Sequence, residues 1–264
     1  MEPASQPAWA GSASPPLDAC AKGLYTRCAI MGAMEAPVEV YLEVGAKRVF
    51  AGALRWPGWC RSGRDEPSAL QALVDYGPRY EAALGKVAPG FPAPAETGGL
   101  EVVERLPGDA TTDFGAPGAV PAQDAKKLSI AELERQIAIL TACWEAFDAT
   151  AGSAGSLPLR SGPRGGGRDV ARMRAHVLDA DRGYLAQLGG KFRSGGQAPE
   201  ETVRLVREAF VEALWGRVRG ELPDVGPKGG VRWPPSFAVR RSAWHALDHA
   251  WEIQDRLEPA PASG

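Results

Sequence analysis

The sequence predicts an α+β N-terminal module of order β-β-β-α-β followed by an all-α four-helix bundle. Three observations carry this. Apolar residues recur with period two from Val38, they recur at alternating spacings of three and four from Ser129 onward, and a Gly/Pro/Ala stretch divides the two regimes. The division is residues 1–36 as a disordered extension, 37–108 as the α+β domain, 109–125 as a linker, 126–258 as the bundle and 259–264 as a disordered tail.

Residues 1–36 mix Ala, Pro, Ser and Gly without periodicity, and Met34 just before the first patterned segment marks a candidate internal start. Val38, Val40, Leu42 and Val44 then share one strand face, with Glu39, Tyr41 and Glu43 on the other. Gly45 turns the chain into a second strand over Lys47–Leu54, making an antiparallel hairpin the economical connection. A third short strand is expected near Trp59–Arg61, an Ala/Leu-rich helix over Ser68–Leu84, and a fourth strand over Gly99–Leu106. Ser129 and Glu132 have capping-box spacing, and the first long helix runs over about 129–149. The second carries the stripe Val170, Met173, Val177, Ala180, Tyr184, Leu188 and stops at Gly189. The third starts at Pro199 and ends near Leu222; the fourth runs from Pro234-Pro235 to about Leu257. Four amphipathic helices joined by Gly/Pro-rich loops are the pattern of a bundle.

The chain has 264 residues, with 30 Lys and Arg against 32 Asp and Glu. That balance gives no electrostatic reason to expect a nucleic-acid partner. No apolar run reaches the ~18–20 residues of a membrane-spanning helix. Four scattered cysteines, with no C-x-x-C pair, fit neither a disulfide framework nor a zinc or redox motif, so a reducing cytoplasm is the expected compartment.

The only histidines are His176, His245 and His249. His245 and His249 are four residues apart, which puts both imidazoles on one helical face, one turn apart, as chelation of a single metal requires. A bundle can bring His176, from the second long helix, against that pair. Three nitrogen ligands would then leave positions open for water or substrate. The same face also carries Arg241, Asp248, Glu252 and Arg256, so the alternative is a solvated polar face. Asp179 and Asp248, each three residues after a histidine, are placed to orient a ligand.

The segment His176-Val-Leu-Asp-Ala-Asp-Arg-Gly-Tyr184, with the H-x-x-x-H pair His245/His249, resembles the DinB-like superfamily of four-helix-bundle metalloproteins over about residues 126–258. The resemblance implies a divalent metal, zinc or nickel, held by His176, His245 and His249. It also implies thiol-dependent transfer or isomerisation with a low-molecular-weight thiol and a small-molecule substrate. Pro57-Gly-Trp-Cys-Arg-Ser-Gly63, with the Asp65-Glu-Pro-Ser-Ala-Leu70 helix start, is similar to HicB-like antitoxin domains. Trp59 interrupts that family's Pro-Gly-Cys pattern and no DNA-binding segment follows, so the module reads as a structural or interaction unit, suited to a homodimer or protein partner.

The expected function is a metal-dependent transferase in which Arg241 or Arg256 neutralises a carboxylate and Glu252 or Asp248 accepts a proton. The alternatives are a metal-dependent hydrolase and a non-catalytic binding protein that docks partners through the N-terminal module. Cys60 has no histidine in its own module to activate it and reads as a strand-end residue. Gly162–Arg168 lacks the Gly-Lys-Ser/Thr end of a phosphate loop and reads as a flexible linker, the alternative being a helix start that holds an anion, and Trp244 and Trp251 flank the histidine pair as core residues or pocket walls.

Overall fold

In the computed structural model the hairpin forms as expected: β1 (Val38–Val44) and β2 (Val49–Ala53) pair antiparallel, with Val44 opposite Val49. The structure describes residues 36–87, 89–161, 167–193 and 195–257. The expectations for the N-terminal extension, the 259–264 tail and most of the Gly162–Arg168 loop fall outside those residues. Strand β3 (Cys60–Gly63) adds antiparallel to β2, and β4 (Leu100–Pro107) adds parallel to β1, giving a four-stranded mixed sheet of order β3-β2-β1-β4.

A parallel pair needs a crossover, and helices α1 (Glu66–Asp75) and α2 (Gly77–Leu84) supply it. Asp65 caps α1 in a reciprocal box with Ser68. The single helix expected over Ser68–Leu84 is therefore two helices. Pro78 lacks the N–H that would continue the ladder, and the chain restarts beyond Tyr76.

Tyr41 and Glu43 correct the reading of β1 as half-buried, because both are fully buried on the face expected to meet solvent. The cover is the stretch 109–125, so that stretch is not a linker. It folds into α3 (Ala110–Phe114), capped by Asp109, and then crosses the sheet. The Thr112 hydroxyl and the Gly118 and Ala119 N–H groups donate to the Glu43 carboxylate. Asp124 accepts two hydrogen bonds of 2.8 Å from Arg240, whose other N–H groups donate to the carbonyls of Ala53 (2.6 Å) and Leu54 (2.7 Å). The Arg240 guanidinium lies 5.5 Å from the Tyr41 ring centre.

Four long helices follow, α4 (Ile130–Ala154), α5 (Val170–Leu188), α6 (Pro199–Val218) and α7 (Pro235–Arg256). Ser129 caps α4 as expected, while Glu132 turns instead to Arg135 and Gln136. Helix α4 runs five residues past its expected end, to a stop at Gly155, and α6 ends four residues early, at Val218. Gly189 closes α5 in the left-handed conformation. Helix α4 packs along α7, and α5 packs on both α6 and α7.

One hydrophobic core runs from Val40 and Leu42 in the sheet through Trp59 and Tyr80 to Cys143, Ala243 and Leu247 in the long helices. The expected domains 37–108 and 126–258 share it. Gly58 shows how close the approach is: its φ is +95°, and a Cβ there would sit 3.1 Å from Ala243 Cβ and 3.3 Å from Cys143 Sγ. Gly58→Ala is expected to destabilise the protein by about 1–3 kcal/mol through backbone strain and the crowded wedge. A urea midpoint shifted downward at unchanged slope is the expected readout; an unchanged midpoint would mean the loop is not seated between α4 and α7.

Candidate metal centre

Helix geometry places the site. His245 and His249 lie one turn apart on α7, and His176 projects from the first half of α5, which packs against α7. One ligand atom from each of the three rings lies within 4.8 Å of the others. His245 Nε2 and His176 Nε2 are 3.2 Å apart. Two nitrogens bound tetrahedrally at zinc–nitrogen distances would be separated by about 3.3 Å, so the spacing fits one cation.

The surroundings favour the neutral form of His245 and His176. Burial, followed by His249 and Arg241, holds the His245 pKa well below the ordinary imidazole value, and burial, with Arg168, lowers that of His176. Neutral imidazole is the form that binds metal. His249 donates from Nδ1 to Glu252 Oε2 at 2.9 Å, which fixes its tautomer and leaves Nε2 available to a cation. The hydrogen bond from His249, assisted by that from Arg256, keeps the Glu252 pKa below the usual carboxylate range. His245 Nδ1, by contrast, is buried without a partner. Truncating Glu252 to Ala should weaken divalent-metal binding about 10–100-fold, the range seen when a ligand histidine loses its carboxylate. Competition with a chelating dye measures this, and unaltered affinity would show that Glu252 does not orient His249.

The histidines open on a cavity of about 760 Å³, within the range of small-molecule sites. Its walls come from both sequence halves. Helices α5 and α7 supply the histidines, Tyr184, Arg241 and Trp244, while Arg48, Phe50, Arg61 and Phe114 come from the sheet and α3. The Phe50 and Trp244 rings meet edge to face at 6.0 Å.

The other expected site residues divide. Asp248 lines the cavity but is tied to Arg61 at 2.8 Å. Arg241 lines it with its guanidinium 4.6 Å from the Trp244 ring centre and 5.6 Å from that of Tyr184. Arg256 also lines it, yet its N–H groups go to Glu252 and to the carbonyls of Arg160 and Arg168, so it clamps the chain ahead of α5. Asp179 does not reach the histidines: it is exposed and bonds Arg182. Gly167 and Arg168, at the end of the segment read as a flexible linker, border the cavity. Trp244 is a wall, whereas Trp251 packs on Tyr76. Burial pushes the Cys60 thiol up to about 12, consistent with a strand-end residue and not a nucleophile.

The sheet-side residues Arg48, Phe50 and Arg61 were not legible as site residues. Arg61 and Asp248 are 187 positions apart, and no local spacing joins them. Comparisons with family models, with curated proteins and with solved structures find no match for this chain. Among the described residues, no helix is long and apolar enough to cross a membrane.

Proposed function

We propose that the protein is a divalent-metal-dependent enzyme of the DinB-like type. In this reading α4–α7 are its four-helix bundle, and the sheet with its crossover helices is a HicB-like module. The observation that carries the proposal is three imidazoles from two helices gathered on the wall of a roomy cavity. Only three histidine nitrogens gather there, so positions remain for a ligand, the mark of a catalytic and not a structural centre. His176, His245 and His249 would hold the cation, zinc or nickel, which would supply Lewis-acid chemistry for activating a thiol or a substrate oxygen.

The chain's own residues do the rest. Glu252 orients His249, and its ionised carboxylate, bonded to His249 and Arg256, would offset the positive charge of a bound cation. The rings of Phe50, Trp244 and Tyr184 exclude water from one side of the cavity. The sheet walls the site, which favours an enzyme over a binding protein whose N-terminal module docks partners independently. Thiol transfer in the cytoplasm is the preferred reading, and metal-dependent hydrolysis is its rival.

Cobalt-substituted full-length protein separates the two. Addition of 2-mercaptoethanol should produce an intense near-ultraviolet absorption from sulfur ligation at one equivalent of cobalt. One bound cobalt with no response to thiol would overturn the transferase reading, and no bound cobalt would overturn the metalloenzyme.

A further inference from the structure

The charges around the cavity do not balance. Five arginines line it: Arg48, Arg61, Arg168, Arg241 and Arg256. Arg61 is neutralised by Asp248 at 2.8 Å and Arg256 by Glu252 at 2.7 Å. Asp255, the remaining acid of the lining, pairs with Arg79 at 2.9 Å. Among the described residues, Arg48, Arg168 and Arg241 have no carboxylate partner.

Two of these three are held in place. Arg48 donates from Nη1 to the neutral Ser62 hydroxyl at 3.0 Å, and its Nε is buried with no acceptor. Arg241 is stacked against Trp244 and Tyr184, and its Nη1 is likewise buried with no acceptor. Trp244 Nε1 is a third buried donor without a partner in the same wall. Those particular nitrogens are closed to solvent and to a ligand alike, but Arg48 and Arg241 are only half-buried and line the cavity, so positive charge that no carboxylate neutralises is left there for an anionic ligand. Stacking fixes the plane of a guanidinium and leaves its edge for a planar, two-oxygen acceptor.

Chain geometry brings the two together. Arg48 precedes Phe50 by two residues and so shares its side of the extended strand, while Arg241 precedes Trp244 by three and shares its face of α7. The Phe50–Trp244 ring contact joins those two faces. We infer that the cavity takes a small organic molecule bearing a carboxylate, which Arg48 from the sheet and Arg241 from α7 grip beside the three histidines. The aromatic rings between the two arginines favour an organic body behind the anionic group over a bare inorganic anion. This would give the sheet a specificity role: it completes the anion site that the helices alone supply by half. The inference rests on the metal-centre reading for what happens to the ligand, but the grip itself needs no metal.

Calorimetry on the full chain tests it with benzoate, the neutral isostere benzamide and inorganic phosphate, each on chelator-stripped and zinc-loaded protein. Benzoate should bind at least tenfold more tightly than benzamide or phosphate in both forms. Arg48→Gln and Arg241→Gln should each lose at least fivefold in benzoate affinity and leave benzamide unchanged. Arg241→Lys should fall between, because an ammonium keeps the charge without the fork. Arg172→Gln, an exposed change at the start of α5, should alter nothing; circular dichroism of each variant verifies its fold. Equal binding of benzoate and benzamide, phosphate binding as tight as benzoate, or indifference to both arginine variants would overturn the inference. Benzoate binding seen only with zinc and insensitive to the variants would also overturn it, by placing the carboxylate on the metal. Zinc stoichiometry is read separately, so loss of the metal reading with the carboxylate preference intact is a distinct result.

Discussion

His176→Ala is expected to lower divalent-metal affinity by about two to three orders of magnitude while leaving helix content unchanged. The substitution removes one of three nitrogen ligands, and each tenfold loss corresponds to about 1.4 kcal/mol of binding energy. Alanine is the better helix former, and His176 is only partly buried, so α5 loses little by the change. The variant is informative because His176 lies 69 positions before His245 and on another helix. A polar pair confined to the surface of α7 would not respond to it. Chelator competition gives the affinity and far-ultraviolet circular dichroism the helicity. His249→Ala should reproduce the loss, and an unaltered affinity in His176→Ala would reduce the site to that pair.

Arg240→Ala should cost about 3–5 kcal/mol of folding stability, the range for removing one partner of a buried ion pair. Asp124 is 1% exposed and Arg240 is 4% exposed, so the abandoned carboxylate has no water to turn to. The carbonyls of Ala53 and Leu54 lose their donors at the same time. This one side chain links the end of β2, the stretch 109–125 and α7, so its loss loosens the sheet from the long helices that share the cavity. Such a cost is a large part of the ~5–15 kcal/mol typical of a folded domain. Arg240→Lys should not restore it, because a single ammonium cannot reproduce a fork serving three acceptor groups. Urea denaturation measures the loss, and a variant as stable as wild type would show that the sheet and helices are not coupled through Arg240.

What could be read in the sequence was local. Ser129, Gly189, Pro199 and the Pro234-Pro235 pair act within one helical turn, so the four long helices stand close to where their punctuation put them. The His245/His249 pair was legible for the same reason, since a spacing of four fixes a shared face. The break at Gly77-Pro78 was equally local, but the Ala/Leu content around it masked it. The remaining misses are long-range. Glu43 followed the period-two pattern of an exposed residue, and only the distant Thr112, Gly118 and Ala119 make its burial affordable. Arg256 looked like a substrate residue because, besides Glu252 on its own helix, its acceptors are backbone carbonyls nearly a hundred positions away, which no side-chain pattern displays. Arg48 and Phe50 became cavity residues only when β2 met α7.

The most direct test of the account is the X-ray absorption spectrum of the zinc-loaded full-length protein, purified without a histidine tag. The arrangement of His176, His245 and His249 predicts one zinc with three imidazole nitrogens at about 2.0–2.1 Å, together with the outer-shell scattering that imidazole rings produce. That pattern should shrink to two imidazoles in His176→Ala. A spectrum with sulfur ligands, with fewer than three imidazoles in the unmodified protein, or with no stoichiometric zinc to record would contradict the three-histidine centre on which the functional reading stands.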